Sequence, residues 1–267
     1  MIRLGASVAL FKPMDLAIAA PYIRAAGFSG TTVSLNMLVE QFNTGMWKEE
    51  VQRLKSIADD NGLELMSAGT GDHDPERARY LFESAAALSV SVICTGPNGL
   101  TGDGVSYNKT IDELGAMAKI AGEYKIPLVC KAHEGGSVHT TPEALRMVKD
   151  INNPYFGADI DPFHVFLADE SLTEAAKALV PYLKYAHVQD FTFDTQGKIL
   201  KDSPVRPACG RGDVDIPGYL KVLIDRGYNG PLMVEMYSKE KELPAAVSVT
   251  AEAYGYLNAC LKFLGNK

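Results

Sequence analysis

The chain has 267 residues, a hydrophobic content of 46% and a formal net charge of −7. This acidic balance argues against a nucleic-acid partner, for which a basic face is expected, and no apolar run approaches the roughly 18 residues of a membrane span. The four cysteines are scattered and include no Cys-x-x-Cys pair, which favours a reduced, cytoplasmic protein.

Short apolar runs alternate along the whole chain with longer segments whose apolar spacing is helical. The runs are typical of buried parallel strands and the segments of crossover helices. The predicted strands are residues 3–10, 30–35, 64–68, 90–95, 127–131, 156–161, 185–188 and 231–235. The predicted helices are residues 14–26, 48–61, 75–88, 110–124, 142–150, 171–182, 217–226 and 244–264. This alternation predicts an α/β protein with one domain, residues 1–267, folded as a single (β/α)₈ TIM barrel.

Three acidic or imidazole side chains stand where predicted strands stop: Asp161, His187 and Glu235. The carboxyl ends of the strands in a parallel barrel open onto one face, so we expect these three side chains to meet there. Carboxylates and imidazole suit Mn, Co, Zn or Mg, so the leading hypothesis is a site for one divalent metal ion. The alternative is ordinary helix capping and loop solvation.

A fourth strand leads directly into Lys131 and His133, which period-2 alternation places on the same side. For Lys131 three interpretations remain open. The residue could be a structural ion-pair partner of Asp161 and Glu235, a cation that stabilises an enolate-like oxygen, or an amine whose pKa is lowered by burial and a nearby metal.

Two further side chains are predicted to contact a substrate. His164 follows Asp161 by three residues, at the wall of the expected pocket, although a hydrogen bond to a loop carbonyl would explain it as well. Arg206 has the forked donors that clamp a hydroxyl or a carboxylate, but it could equally be an ordinary loop arginine. The glycine-rich stretch 207–215 after it lacks the spacing of a P-loop or of a dinucleotide fingerprint.

Several short motifs, in this order and spacing, make the chain resemble the xylose isomerase-like barrels. They are Ala26-Gly27-Phe28-Ser29-Gly30, Gly157-Ala158-Asp159-Ile160-Asp161-Pro162-Phe163-His164, His187-Val188-Gln189-Asp190, Gly210-Arg211-Gly212-Asp213-Val214-Asp215, and Gly227-Tyr228-Asn229-Gly230 running to Val234-Glu235. That family includes sugar isomerases, keto-sugar 3-epimerases, hydroxypyruvate isomerase, inosose dehydratase and an apurinic endonuclease group. The resemblance therefore implies a barrel enzyme of carbohydrate metabolism that acts on small molecules as a homo-oligomer.

The resemblance also implies roles for individual residues. Its epimerase members hold a divalent metal with a Glu, an Asp, a His and a final Glu, and the two glutamates exchange protons with the sugar. Asp161, His187 and Glu235 match the last three ligands, whereas Lys131 stands where the first glutamate is usual. His133 is the expected replacement for the missing ligand. His164 and Arg206 match positions that contact substrate in the family.

These observations predict a metal-dependent sugar isomerase or epimerase acting beside the carbonyl of a small keto-sugar or sugar acid. Glu235 is the expected general base, and Lys131 is expected to stabilise the oxyanion or to return the proton. Glu134 is a second candidate proton donor and a predicted substrate contact. Two alternatives remain open, a metal-assisted lyase or decarboxylase acting on a 3-oxo sugar or sugar acid, and a sugar-binding barrel without activity.

Overall fold

The computed structural model describes residues 1–11, 13–42, 45–199, 207–236 and 242–266. It contains eight parallel strands that close into a barrel in chain order, with β1 pairing to both β2 and β8. The strands are β1 Arg3–Ser7, β2 Gly30–Ser34, β3 Glu64–Gly69, β4 Ile93–Thr95, β5 Leu128–Lys131, β6 Phe156–Ile160, β7 Leu183–Val188 and β8 Pro231–Val234. The predicted (β/α)₈ barrel is confirmed.

Ten α-helices lie in the described part of the chain. They are α1 Leu16–Ala26, α2 Asn36–Gln41, α3 Trp47–Asp60, α4 Pro75–Leu88, α5 Gly104–Tyr124, α6 Thr141–Ile151, α7 Pro162–Leu167, α8 Leu172–Leu179, α9 Ile216–Asp225 and α10 Leu243–Phe263. Eight of them correspond to the predicted helices, and α5 begins six residues earlier than predicted because Asp103 caps Val105 and Ser106. The sequence analysis missed α2 and α7, which have six residues each and are too short to show a helical period.

Hydrophobic residues form two separate clusters. The larger lies between the sheet and the surrounding helices, and the smaller consists of Met66, Val92, Val129, Tyr185 and Met233. All five members of the smaller cluster are at most 2% exposed, and four of them lie on strands. This cluster fills the interior of the barrel, as expected for a packed core rather than a pore.

Glycine allows this interior to close on the β1–β2 side. A Cβ on Gly5 would lie 2.7 Å from the terminal methyl of Met233, and a Cβ on Gly30 would lie 2.6 Å from Met66 Cγ. The two methionines occupy the space that side chains at these glycines would take. In the described residues, no helix has the length and hydropathy to cross a membrane, and all four cysteines are free.

Candidate active site

The three residues predicted to meet do meet at the carboxyl end of the barrel. Asp161 follows β6, His187 lies near the end of β7, and Glu235 follows β8. One ligand atom from each lies within 4.8 Å of the other two. The local cause of the position of Asp161 is helix capping, because its Oδ1 accepts the backbone N–H of Phe163 at the start of α7.

Lys131, the last residue of β5, reaches into the middle of this group. Its Nζ lies 3.0 Å from Asp161 Oδ2 and 3.0 Å from Glu235 Oε2, and its side chain is 13% exposed. Burial disfavours the ammonium, but the carboxylates of Asp161 and Glu235 outweigh that cost and raise the lysine pKa well above its usual value. These contacts favour Lys131 as a buried cation. The interpretation as an amine with a lowered pKa depends on a nearby metal ion and stays a prediction.

Both carboxylates around Lys131 remain ionised. Burial raises the pKa of Asp161, but the charges of Lys131 and His187 lower it by more, to a net value well below the usual range. Burial also opposes ionisation of Glu235, and His187 and Lys131 again reverse the effect, so its pKa is lowered. The Gln189 side-chain amide donates to Asp161 Oδ1 at 2.6 Å. Asp161 Oδ1 thus accepts from two neutral donors, and its Oδ2 accepts from the Lys131 ammonium.

His187 is held between two carboxylates. Its Nδ1 lies 3.0 Å from Asp159 Oδ1, and its Nε2 lies 3.1 Å from Glu235 Oε2. Burial lowers the pKa of His187, but the carboxylates of Asp159 and Glu235 together raise it by more, so the net shift is upward. The Cys94 thiol donates to the other oxygen of Asp159 at 3.1 Å. Asp159 fixes the ring of His187 so that Nε2 faces the pocket.

Sequence reasoning missed Asp159, although a signal was present. The residue stands two positions before Asp161 in β6, so both side chains point to the same side of the strand. It is 1% exposed in a strand whose five residues are all buried. A carboxyl group in such a run needs a partner, and the histidine on the adjacent strand provides it.

His133 does not join the three clustered residues. Among the described residues, the clustered ligand atoms belong to Asp161, His187 and Glu235. The ring of His133 instead packs on His164, at a centroid distance of 3.8 Å. Its Nδ1 donates to the carbonyl of Glu134 at 2.8 Å. His133, predicted as a fourth ligand, lies outside this cluster, because β5 ends at Lys131 and the alternation of sides does not extend into the following turn.

His164 is 9% exposed, and its Nδ1 accepts the backbone N–H of Glu134 at 3.4 Å. Burial lowers the pKa of His164 to about 4, so the ring is neutral at pH 7. Arg206, the other predicted substrate contact, lies outside the described residues.

A cavity of about 240 Å³ opens above the ion-paired group. This volume lies just below the range of about 300–1,000 Å³ that is usual for small-molecule sites. Its walls carry charged, imidazole, amide and aromatic groups, namely Lys131, His133, Glu134, Asp161, Phe163, His164, Gln189 and Glu235. Six of the seven predicted site residues that the structure describes line it, and the seventh, His187, contacts Glu235 from below.

The glycine-rich loop is organised by a carboxylate of the chain itself. Asp190 Oδ2 accepts the backbone N–H groups of Gly210 and Gly212 at 2.8 and 2.9 Å, and Oδ1 accepts that of Val214 at 3.1 Å. A Cβ on Gly212 would lie 2.2 Å from Asp190 Oδ1, so only glycine allows this approach. The amides that would bind a phosphate in a P-loop are occupied by Asp190, in agreement with the spacing of the sequence.

The residues fit a divalent cation by the chemistry of their donors. Two carboxylates and one imidazole are accepted ligands for such ions. The contact between His187 and Asp159 is the usual support for a metal-binding histidine. In addition, three carboxyl groups share one ammonium and one imidazole, since Asp161 and Glu235 contact Lys131 and Asp159 contacts His187.

Two curated relatives illustrate the sequence similarity. An inosose isomerase from Halalkalibacterium halodurans is 23% identical over 166 residues, covering 60% of this chain and 58% of the relative. An inosose dehydratase from Clostridium perfringens is 29% identical over 134 residues, covering 47% of this chain and 44% of the relative. The chain thus matches about half the length of these relatives.

Solved structures match over nearly the whole chain, at identities that establish the fold alone. D-psicose 3-epimerase, solved in the presence of D-fructose, has a TM-score of 0.78 at 17% identity and covers 99% of this chain and 100% of its own. A xylose isomerase-like TIM barrel protein from Mycobacterium smegmatis, in complex with magnesium, has a TM-score of 0.77 at 16% identity, covering 99% and 98%. The sequence model of the family described as xylose isomerase-like TIM barrel matches residues 21–259. With the closed barrel and the charged group at its carboxyl end, this match establishes that the chain belongs to the xylose isomerase-like TIM barrel family.

Proposed function

We propose that this protein is a sugar isomerase or epimerase that acts beside the carbonyl of a small keto-sugar or sugar acid. One observation carries the proposal: an ionised glutamate, Glu235, and a buried ammonium, Lys131, lie 3.0 Å apart at the floor of a cavity sized for a small molecule. A base and a cation are the two groups needed to form and stabilise an enolate. The similarities to inosose isomerase and D-psicose 3-epimerase support this reaction class.

Glu235 is the proposed general base. Its lowered pKa leaves it ionised at neutral pH, ready to take a proton from the carbon beside the carbonyl. The C–H electron pair then forms the enolate, and the ammonium of Lys131 donates a hydrogen bond to the developing oxyanion. The raised pKa of Lys131 suits hydrogen bonding better than proton transfer.

The source of the returning proton determines the product. Isomerisation results if protonated Glu235 delivers its proton to the former carbonyl carbon on the same face. In that step the proton of the neighbouring hydroxyl passes to the former carbonyl oxygen, so that the carbonyl group changes carbon. Inversion at one carbon requires a donor on the opposite face, and Glu134 lines the same cavity. Glu134 is therefore the proposed second proton donor for an epimerase.

A divalent ion, Mn, Co, Zn or Mg, would be held by Asp161, His187 and Glu235. When bound, it would act as a Lewis acid on the carbonyl and its neighbouring hydroxyl. The magnesium complex of the Mycobacterium smegmatis protein supports such an ion in this fold. His164, neutral at pH 7, Arg206 and Glu134 are the proposed contacts to sugar hydroxyls or a carboxylate.

The test is turnover and solvent-deuterium exchange with inososes, D-psicose and related ketoses, each with and without added Mn²⁺. We expect the wild-type protein to incorporate deuterium beside the carbonyl with no loss of carbon, and Glu235→Gln to do so at least 100-fold more slowly. Glu174→Gln is the matched control, because Glu174 pairs with Lys177 on the surface of α8. Full activity of Glu235→Gln would reject the proposal.

A lyase is the second candidate, and Lys131 is the observation that favours it. Elimination, decarboxylation or retro-aldol cleavage of a 3-oxo sugar needs a cation beside the carbonyl more than a second opposed carboxylate. The similarity to inosose dehydratase supports this class. Loss of water, release of carbon dioxide or a shortened product in the same assay would assign the lyase, whereas substrate binding without any turnover would assign a sugar-binding barrel.

A further inference from the structure

The ammonium of Lys131 lies among the oxygens that a divalent ion would need. Asp161 Oδ1 already accepts from Gln189 and Phe163, so Oδ2 is the oxygen it offers, and Lys131 Nζ lies 3.0 Å from it. Glu235 offers Oε2 to the same ammonium at 3.0 Å. Lys131 thus bridges the two carboxylates of the clustered group.

Both the distances and the charges prevent the Lys131 ammonium and a divalent ion from lying between Asp161 and Glu235 at the same time. Oxygen ligands surround Mg²⁺ or Ca²⁺ at about 2.0–2.6 Å, which is shorter than the present N···O contacts, so an ion between the same oxygens would overlap the ammonium. The side chain of Lys131 is 13% exposed and that of Asp161 is 2% exposed, so little water is available to screen the two cations from each other.

Lys131 also supplies counter-charge that the group otherwise lacks. Asp159, Asp161 and Glu235 are all within the connected network of Lys131 and His187. In the backbone register of β5 and β6, Lys131 lies opposite Asp159. Removing the ammonium leaves Asp161 and Glu235 without their lysine partner, and a buried carboxylate that loses its counter-charge attracts another cation.

We propose that the Lys131 ammonium and a divalent ion compete for one position between Asp161 and Glu235, so that Lys131 determines how tightly this site binds the ion. This inference rests on the proposed function for the identity of the ligands, but its test requires no substrate. The lysine is a cation built into the chain, and the divalent ion binds only when the ammonium leaves both carboxylates.

The experiment is equilibrium dialysis of the full chain against Mn²⁺, with metal content read by elemental analysis. We expect Lys131→Met to bind Mn²⁺ at least tenfold more tightly than wild type, and Lys131→Glu, which adds a carboxylate, more tightly still. Lys221→Met is the matched control, because Lys221 pairs with Asp225 on the surface and is 61% exposed. Its Mn²⁺ affinity should equal that of wild type.

Two more variants keep the test decisive if Lys131→Met folds poorly. Lys131→Gln retains a polar side chain and should also gain affinity, whereas Lys131→Arg keeps the positive charge and should not. Circular dichroism establishes folding, and the melting temperature should rise with Mn²⁺ more in Lys131→Gln than in wild type. Equal or weaker Mn²⁺ binding by folded Lys131→Met or Lys131→Gln overturns the competition.

Failure of this inference is distinguishable from failure of the proposed function. If the lysine variants gain Mn²⁺ affinity while no ketose is converted, the competition stands and the enzyme proposal fails. If ketoses are converted through Glu235 while Mn²⁺ affinity is insensitive to Lys131, the enzyme proposal stands and the competition fails.

Discussion

Two layers of side chains, two residues apart on the same strands, have opposite chemistry. Val129, Tyr185 and Met233 belong to the apolar cluster inside the barrel. Two residues further along β5, β7 and β8 stand Lys131, His187 and Glu235, which form the ion-paired group. Because side chains alternate along a strand, both layers share one orientation. The scaffold is therefore common to the two layers, and side-chain identity alone separates packing from chemistry.

The layers also satisfy their polar groups differently. In the apolar layer, the Tyr185 hydroxyl meets Ser67 Oγ at 2.7 Å, and burial keeps the phenol neutral by raising its pKa. In the charged layer, the side chains of Lys131, His187 and Glu235 pair with other ionisable groups. A substitution in the apolar layer should alter the free energy of unfolding, and a substitution in the charged layer should alter the rate of catalysis.

The largest expected effect follows from replacing one residue in each layer of β8. Glu235→Gln removes the proposed base and should lower kcat/KM by about 10²–10⁴-fold. Met233→Leu, two residues earlier, keeps the volume of the core and should leave kcat/KM within a few-fold. Steady-state kinetics on the converted ketose measures both variants. An equal loss in the two would abolish the distinction between the layers.

A substitution that creates a cavity in the apolar layer should lower stability and not act directly on catalysis. Met233→Ala removes a fully buried side chain that packs against Gly5, and it should lower the free energy of unfolding by about 2–5 kcal/mol. Urea denaturation followed by circular dichroism measures the loss. An exposed methionine supplies the control, since Met37→Ala, at 59% exposure, should change the free energy of unfolding by less than about 0.5 kcal/mol.

A substitution of Asp159, which stands in β6 two residues before Asp161, tests whether this residue belongs to the charged layer. Asp159→Asn keeps the size of the side chain but weakens its hold on His187, and losses of about 10–100-fold in activity or metal affinity are typical of such changes. We expect a loss in this range in kcat/KM and in Mn²⁺ affinity, with the unfolding midpoint less affected. A variant that loses stability alone would assign Asp159 to the structural layer.

The smallest expected effect is a pH dependence of stability. The folded pKa of Asp161 lies below its unfolded value of 3.8, so its contribution is fully present well above that value and is lost as pH falls through the folded pKa. Between pH 5 and pH 3.5 the wild type should therefore lose about 0.5 kcal/mol that Asp161→Asn does not lose. Urea titrations of both proteins at the two pH values give this difference. Parallel curves would show that Asp161 is not held ionised by Lys131.

Much of this architecture was predictable from local pattern. Short apolar runs and helical spacing alternate eight times, and a parallel sheet of that connectivity closes into a barrel. The short helix α7 was missed although its signal, Asp161 followed by Pro162, is a helix start. Helix capping was only the alternative interpretation of this aspartate, and no helix was predicted to follow it. The meeting of Asp161, His187 and Glu235 was predictable because strand ends share one face.

The sequence by itself determined the strand order, the shared face and the chemical types that reach it, because these depend on periods of two and 3.6 residues and on chain connectivity. Only the tertiary structure decided that Lys131 Nζ bridges two carboxylates, that Asp159 supports His187, and that His133 packs on His164 instead of joining the ligand group. Those outcomes depend on side-chain rotamers and on a turn beyond the end of β5. Distances between residues far apart in sequence set them, and no local period encodes such distances.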